Sequence, residues 1–179
     1  VAVTDTNYPF VFRTSEGTYD GIFVDILEQI AQQEDWRLVW VRGTWAESLQ
    51  RVASGDVDLM PGVAYTSERD VHYDYPRDSL LANWGQVFAR PGIEVEGMLD
   101  LEGRRVAVVP NSLYARRLHD QLDSFGVEAS YNHVESYGQL VAALEAGEAD
   151  VGVMGRIQGQ LAAEASPVQS TDIVFAPIG

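Results

Sequence analysis

Apolar and polar positions along this chain follow two rhythms, and one combination of them occurs twice. Trp45, Leu49, Val52, Gly55 and Asp58 have the same spacing as Tyr137, Val141, Leu144, Gly147 and Asp150. Steps of four and three put the aromatic and the two aliphatic residues on one stripe of a helix. A glycine just past the stripe ends a helix in the left-handed conformation without a side-chain clash. The aspartate then opens an apolar run, Leu59-Met60 in one copy and Val151-Gly152-Val153-Met154 in the other. Both runs are expected to be buried strand starts. A helix–glycine–aspartate–strand unit in each half predicts two similar α/β lobes, and two lobes imply a cleft in which a small ligand binds.

The remaining pattern fills in around these units. Val1–Thr4 alternates as a short strand and runs into the polar turn Asp5-Thr6-Asn7; Phe10 to Phe12 is extended, and Glu16-Gly17 turns. Ile22, Phe23, Ile26, Leu27 and Ile30 form a helical stripe between Gly21 and about Gln33, followed by a strand at Arg37–Val41. Thr66 is the expected N-cap of a helix that begins with Ser67, Glu68 and Arg69. An apolar strand ends at Arg90-Pro91-Gly92, and the first crossover between lobes is expected there. Arg105–Val109 is a buried strand. Pro110-Asn111-Ser112 caps a helix that runs to Phe125 and stops at Gly126. A strand at Val127–Tyr131 leads into the second unit, then come a small helix near Gly159–Ala165 and a last strand at Ile173–Ala176. Strands alternating with helices predict parallel sheets in both lobes. The expected division is residues 1–90 for the first lobe, 91–174 for the second, and 175–179 as the start of a return to the first.

Charge narrows the partners. The net charge is −15, and all twelve basic residues are arginine. An acidic surface with no basic stripe argues against nucleic acid and anionic lipid. With no cysteine there is no disulfide, thiol catalysis or thiolate metal site. His72, His119 and His133 lack metal-ligand spacing. No run approaches the length of a membrane span, and no charged leader precedes Val1. Neither a phosphate-binding glycine loop nor a Gly-x-Ser-x-Gly elbow occurs, and no pair of carboxylates stands out for acid–base work. The expectation is a binding protein with no cofactor, no metal and no catalytic residues.

Several segments resemble, in order, a known family. Thr4-Asp5-Thr6-Asn7-Tyr8-Pro9-Phe10-Val11-Phe12 and Gly21-Ile22-Phe23-Val24-Asp25 are similar to the opening of the family-three periplasmic solute-binding proteins. Gly55-Asp56-Val57-Asp58 and Tyr65-Thr66-Ser67-Glu68-Arg69 resemble its next landmarks. Asp100–Val108 resembles the start of its second lobe, and Gly147-Glu148-Ala149-Asp150 the approach to that lobe's last strand. The resemblance implies the type II periplasmic-binding-protein fold, a Venus flytrap of two α/β lobes that closes on its ligand outside the cytoplasm. Thr44–Leu49 and Asn83-Trp84-Gly85 are similar to sensor domains of membrane histidine kinases and diguanylate cyclases. That implies a signalling output domain in the same polypeptide and a tether to the inner membrane. The alternative is a free receptor for the permease of an ABC importer. Family members return to the first lobe after the second. Here the return is expected to be missing, which leaves the first lobe incomplete unless another molecule, such as a second copy, supplies that face.

The resemblance also implies a site. Arg69 presents the paired donors that match a carboxylate, at a helix start where free N–H groups favour an anion. The family's matching arginine holds the ligand's α-carboxylate. Asp5 and Tyr8 match first-lobe contacts, Trp45 an aromatic pocket wall, and Gly62 and Ala64 a loop that binds through its main chain. Asn111, Ser112 and Leu113 match the helix start that faces the ligand from the second lobe; helix capping by Asn111 or Ser112 is the alternative reading. Gly155 is a departure, because amino-acid binders of the family carry an aspartate there for the α-ammonium group. Arg156 follows it and adds positive charge if turned towards ligand. The expected ligand is therefore a carboxylate or an amino-acid-like molecule whose amine is absent or is read by Asp5 alone.

Overall fold

The computed structural model describes residues 1–178, so Gly179, the last residue of the expected return, lies outside the described residues. The chain divides into two compact units, Val1–Asp78 and Ser79–Gly179.

The first unit is built from short elements. β1 (Ala2–Val3) runs parallel to β5 (Val41–Arg42), with Val3 opposite Arg42. β2 (Thr6–Asn7), β3 (Val11–Arg13) and β4 (Tyr19–Asp20) form a small antiparallel sheet. The helical stripe becomes α1 (Ile22–Glu34), which buries Phe23, Val24 and Ala31. Trp45–Ser54 is α2, which carries the first copy of the repeat. Its N-terminus is a capping box: Thr44 Oγ1 accepts from Glu47 N at 3.2 Å, and the Glu47 carboxylate accepts from Thr44 N at 2.8 Å. The Thr44 N–H first, and then the Thr44 hydroxyl, which donates to the same carboxylate oxygen at 3.1 Å, hold the Glu47 carboxyl below its usual range.

Three expectations change here. Leu59-Met60 is a half-buried extended segment and not a regular strand, although Leu59 O accepts from Ala2 N at 2.8 Å. The strand expected at Arg37–Val41 is confined to Val41–Arg42. After Thr66 there is only one 3-10 turn, Arg69–Val71. The Thr66 hydroxyl still accepts from Arg69 N at 3.1 Å. The aromatic residues that follow disfavour helix, and Pro76 turns the residue before it away from helical angles.

The second unit is a five-stranded mixed sheet with helices on both faces. β6 (Asn83–Ala89), β7 (Arg105–Val108), β8 (Ser130–His133), β9 (Val151–Gly155) and β10 (Gln169–Ile178) lie in the order β10-β6-β9-β7-β8. β8 and β9 flank β7 in parallel, whereas β6 and β10 are antiparallel to their neighbours. The all-parallel expectation is thus corrected for both units. The boundary differs too. β6 pairs with β9 and β10 and belongs to the second unit, and residues 175–178 continue β10 along β6.

Side chains alternate across this sheet with a period of two. Val87, Ala89, Val106, Val108, Val151 and Val153 pack with Leu118 and Leu122 of α3 (Leu113–Phe125). Phe88, Ala107 and Met154 face Leu140, Ala143 and Leu144 of α4 (Tyr137–Glu145). α5 (Arg156–Ala165) lies over Phe88, whose ring would collide with any side chain at Gly159.

The two copies of the repeat match bond for bond around the glycine. Gly55 has φ 78° and Gly147 has φ 70°, the left-handed values only glycine adopts freely. Gly55 N donates to Val52 O at 3.1 Å and Gly147 N to Leu144 O at 3.2 Å. The next two N–H groups return to Arg51 O in one copy and to Ala143 O in the other, at 2.9 and 3.2 Å in both. The match extends upstream: Ser136 caps α4 by accepting from Gln139 N, as Thr44 does from Glu47 N.

Candidate functional site

In the first unit Asp5 follows β1, Tyr8 follows β2, Trp45 opens α2, Gly62 and Ala64 lie on the loop after α2, and Arg69 begins the 3-10 turn. Arg69 is 9% exposed. Its Nη1 donates to Ala64 O at 3.1 Å, and the Tyr75 hydroxyl donates to the same oxygen at 3.4 Å. Burial raises the Tyr75 pKa, so that hydroxyl stays protonated at neutral pH. Tyr65 stands edge-on to Tyr75 with ring centroids 5.3 Å apart, and its own hydroxyl donates to Asp70 at 3.4 Å. The guanidinium thus shares a main-chain oxygen with the Tyr75 hydroxyl, and that oxygen orients it. Gly62 makes the turn before Ala64 with φ 74°, and a Cβ there would press on the Phe23 ring at 3.0 Å.

Asp5 is already engaged. Its carboxylate takes Arg42 Nε at 2.7 Å and the Tyr19 hydroxyl at 3.0 Å. The pairing of Val3 with Arg42 across β1 and β5 brings that arginine alongside. Tyr19 is raised in pKa by burial first and by the bond to Asp5 second. Tyr8 is 55% exposed and edge-on to Phe12, and it precedes a cis Pro9. Trp45 is the first residue of α2 and half-buried. Its Nε1 and the Oγ of fully buried Ser48 have no hydrogen-bond partner among the described residues. An unmet buried donor of this kind costs about 1–3 kcal/mol.

In the second unit, topology picks out one edge. β7 leads through α3 to β8 on one side, and β8 leads through α4 to β9 on the other side of β7. The strand order therefore reverses between β7 and β9, and crevices at the carboxyl ends of such strands are where α/β sheets bind ligands. Asn111, Ser112 and Leu113 lie at the end of β7, and Gly155 and Arg156 at the end of β9, so the structure brings these sequence-predicted residues to one edge. Asn111 is left-handed with φ 62°, and Ser112 caps α3 by accepting from Ala115 N at 3.1 Å. Arg156 is exposed at the first position of α5. None of α3, α4 and α5 has an acidic residue in its first turn, so the positive ends of their dipoles are not offset locally. A shallow concavity of about 590 Å³, lined by Gly92, Ile93, Glu94, Arg104 and Gln169, sits at the opposite edge of the sheet and includes none of these residues.

Residues 1–94 match the model of the bacterial extracellular solute-binding proteins, family 3. The chain belongs to this family. It is 26% identical over 122 residues to the probable amino-acid-binding protein YxeM of Bacillus subtilis (strain 168), a match covering 68% of this chain and 46% of that protein. It is 34% identical over 70 residues to the cyclohexadienyl dehydratase of Pseudomonas aeruginosa PAO1, covering 38% of this chain and 26% of the enzyme. The chain thus matches less than half the length of these curated relatives. Among solved structures, an ancestral arginine-binding protein bound to glutamine superposes with a TM-score of 0.86 at 18% identity, over 99% of this chain and 81% of that one. A histidine kinase sensor domain with similarity to periplasmic binding proteins also gives 0.86, at 20% identity, over 99% and 78%. The fold is the type II periplasmic-binding-protein fold. Membership of an extracellular family places the protein outside the cytoplasm, and no described helix is long and apolar enough to cross a membrane.

Within this solute-binding fold, sequence reasoning passed over four residues. Asn83, Tyr114 and Gln158 surround Gly155, and Tyr75 stands beside Arg69. Asn83 had a legible signal, as a polar residue opening an apolar strand. Tyr114 and Gln158 had none, being ordinary helix positions. Asp150, the repeat's second aspartate, serves structure. It accepts from Arg105 Nη2 at 2.9 Å, Arg105 Nε at 3.2 Å and Arg90 Nε at 3.1 Å, and also from Arg105 N. The Arg105 bonds, aided by Arg90, hold its carboxyl far below the usual range.

Proposed function

We propose that this protein binds a small carboxylate-bearing solute through Arg69, without turnover, as the ligand-binding domain of a transmembrane signalling protein. The observation that carries the reading is the buried Arg69 guanidinium anchored on Ala64 O. One nitrogen fixed on a carbonyl orients the planar fork, and a planar fork is the best partner for a carboxylate. Tyr8, Trp45 and the main chain of Gly62 and Ala64 complete the ligand contacts of the first unit in this reading. Asn111, Ser112, Leu113 and Arg156 supply those of the second. Asp5 already accepts from Arg42 and Tyr19, so an ammonium group competes there with an arginine. A carboxylate whose amine is absent, or is read by Asp5 alone, fits these groups better than a plain α-amino acid.

Likeness to a histidine kinase sensor domain supports the signalling role. In that role a ligand favours one conformation by its differential affinity, and the change is passed to an output domain in the same, membrane-tethered polypeptide. Similarity to YxeM favours a second reading, a free receptor that delivers solute to an importer's permease. Dimerisation through the first unit belongs to the proposal as well. The full-length gene separates the two roles: a downstream membrane span with a kinase or cyclase domain supports sensing, and its absence supports import.

Calorimetry against a panel of amino acids and mono- and dicarboxylates tests the ligand class. Arg69→Gln is expected to weaken carboxylate binding roughly 10- to 100-fold, the equivalent of about 1.5–3 kcal/mol for a charged hydrogen bond. Unchanged affinity in that variant refutes the reading. Consumption of any panel member, followed by chromatography, refutes binding without turnover.

A further inference from the structure

The segment that presents Arg69 has little apolar anchorage. Across the described residues 66–76 Arg69 is the one buried residue, and Val71 is 77% exposed. A hydrophobic core therefore does not fix this segment, and polar contacts must. The 3-10 turn supplies two of them, with Arg69 O accepting from His72 N at 2.8 Å and from Tyr73 N at 3.0 Å. Past the turn, two phenols reach back to different acceptors. The Tyr73 hydroxyl donates to Leu49 O of α2 at 3.3 Å, and the Tyr75 hydroxyl donates to Ala64 O at 3.4 Å. Ala64 lies on a loop outside any helix or strand, so no ladder or helical bond fixes the plane of its peptide. Its oxygen is nevertheless the acceptor that Arg69 Nη1 uses, at 3.1 Å. A carbonyl oxygen has two lone pairs and can serve both donors. Burial raises the Tyr75 pKa, and the Arg69 charge works against that rise, so the phenol is a neutral donor close to the guanidinium. The Tyr65 ring, edge-on at 5.3 Å, limits how far the Tyr75 ring can swing.

We infer that Tyr75 is a positioning residue for Arg69: its hydroxyl holds the Ala64 carbonyl in the direction from which the guanidinium takes its orientation. The phenol acts through Ala64 and not on the ligand. The physical reason is preorganisation. An arginine side chain has many rotamers, and a fork that must be ordered when the ligand arrives weakens binding by the entropy of that ordering. A fork held beforehand by a fixed oxygen does not. The oxygen is fixed only as well as its loop, and the hydroxyl at position 75 is the tie that the loop lacks in its own main chain. Phenylalanine would keep the ring and its contact with Tyr65 and lose that tie alone. Tyr73 is the internal contrast, because its hydroxyl ties the same segment to α2 and has no share in the oxygen that Arg69 uses. The effect on affinity rests on the carboxylate reading above; the effect on the guanidinium does not.

Three variants, Tyr75→Phe, Tyr73→Phe and Arg69→Gln, test it by nitrogen NMR of the arginine side chains without any ligand. The Arg69 signals are those that vanish in Arg69→Gln. A guanidinium held on Ala64 O gives two separate Nη signals, and one that turns freely about its Nε–Cζ bond gives a single averaged signal. The unaltered protein and Tyr73→Phe are expected to show two, and Tyr75→Phe one. Both phenylalanine variants are expected to melt within a few degrees of the unaltered protein, since each loses one partly exposed hydrogen bond. Separate signals that survive in Tyr75→Phe overturn the inference, as does a single signal in the unaltered protein. Calorimetry with succinate and with L-glutamate then reads the consequence. Tyr75→Phe is expected to weaken binding of these probes about 3- to 10-fold, the net worth of one neutral hydrogen bond. Affinity that falls in Arg69→Gln and is unmoved in Tyr75→Phe overturns the inference. Affinity that Arg69→Gln leaves unchanged for both probes refutes the carboxylate reading instead, and the NMR signals still decide what holds the guanidinium.

Discussion

The two helix–glycine–aspartate units share a backbone and differ in almost everything around it. The N-cap hydroxyl bonds, the glycine conformations and the main-chain bonds around the glycines match in both. In the second unit the stripe is completed by fully buried Leu144, and Asp150 is clamped between Arg90 and Arg105 at the start of a buried strand. In the first, Leu49 and Val52 are only half-buried, Asp58 is exposed, and no regular strand follows. Local sequence can therefore be copied while burial is not. A motif of a dozen residues fixes its own main-chain bonds, but the environment of its side chains depends on the sheet it meets. The second copy meets a five-stranded sheet covered on both faces, and the first a two-stranded one.

Paired substitutions break or sharpen this comparison. Urea unfolding is expected to show the largest contrast for the aliphatic positions. Leu144→Ala should cost about 3 kcal/mol as a buried cavity, and Val52→Ala about 1 kcal/mol. Equal losses would mean that the first stripe is as buried in solution as the second.

The aspartates come next. Asp150→Ala should cost about 2 kcal/mol, because it leaves two arginines without their acceptor, and Asp58→Ala should stay within about 0.5 kcal/mol. A pH series adds a sign. The Asp150 pKa is depressed in the folded protein, so its contribution is fully present above the ordinary carboxylate value and is lost as pH falls below about 4. Asp150→Asn should flatten that acid limb, and Asp58→Asn should leave it as it is. Acid unfolding curves that coincide for both variants would remove Asp150 from its structural role.

Smaller effects test the sameness of the copies. Gly55→Ala and Gly147→Ala should each cost about 1 kcal/mol for a left-handed alanine, with no difference between them. Thr44→Ala and Ser136→Ala should each cost somewhat under about 1 kcal/mol, as lost N-caps do. A marked inequality within either pair would show that tertiary strain enters even at these local bonds.

Much of the fold was readable from the chain. The start and stop of α3 follow from Ser112 and Gly126, and those of α1 from its apolar stripe, because caps and periodicity act over a few residues. The division between the units was not readable. β6 looks like the end of the first lobe until its partners β9 and β10 are known, and both arrive more than sixty positions later. The site divides in the same way. Arg69 stood out by residue type and setting, and the order of β7, α3, β9 and α5 carries Asn111–Leu113 and Arg156 to one edge. That Asp5 is held by Arg42 and Tyr19 was hidden, since nothing near Asp5 names either partner.

What the sequence by itself determined is local: where helices begin and end, which glycines turn left-handed, and that an arginine suited to a carboxylate follows Tyr65-Thr66-Ser67-Glu68. Tertiary structure alone decided which of two equivalent aspartates is clamped, which carboxylate is already neutralised, and why position 155 has room only for hydrogen. The physical reason is the reach of each interaction. A cap or a left-handed turn closes a ring of a few residues, whereas the pairs Asp5–Arg42, Arg90–Asp150 and Asn83–Ile157 join positions dozens of residues apart. Their formation waits on the sheets that carry them together.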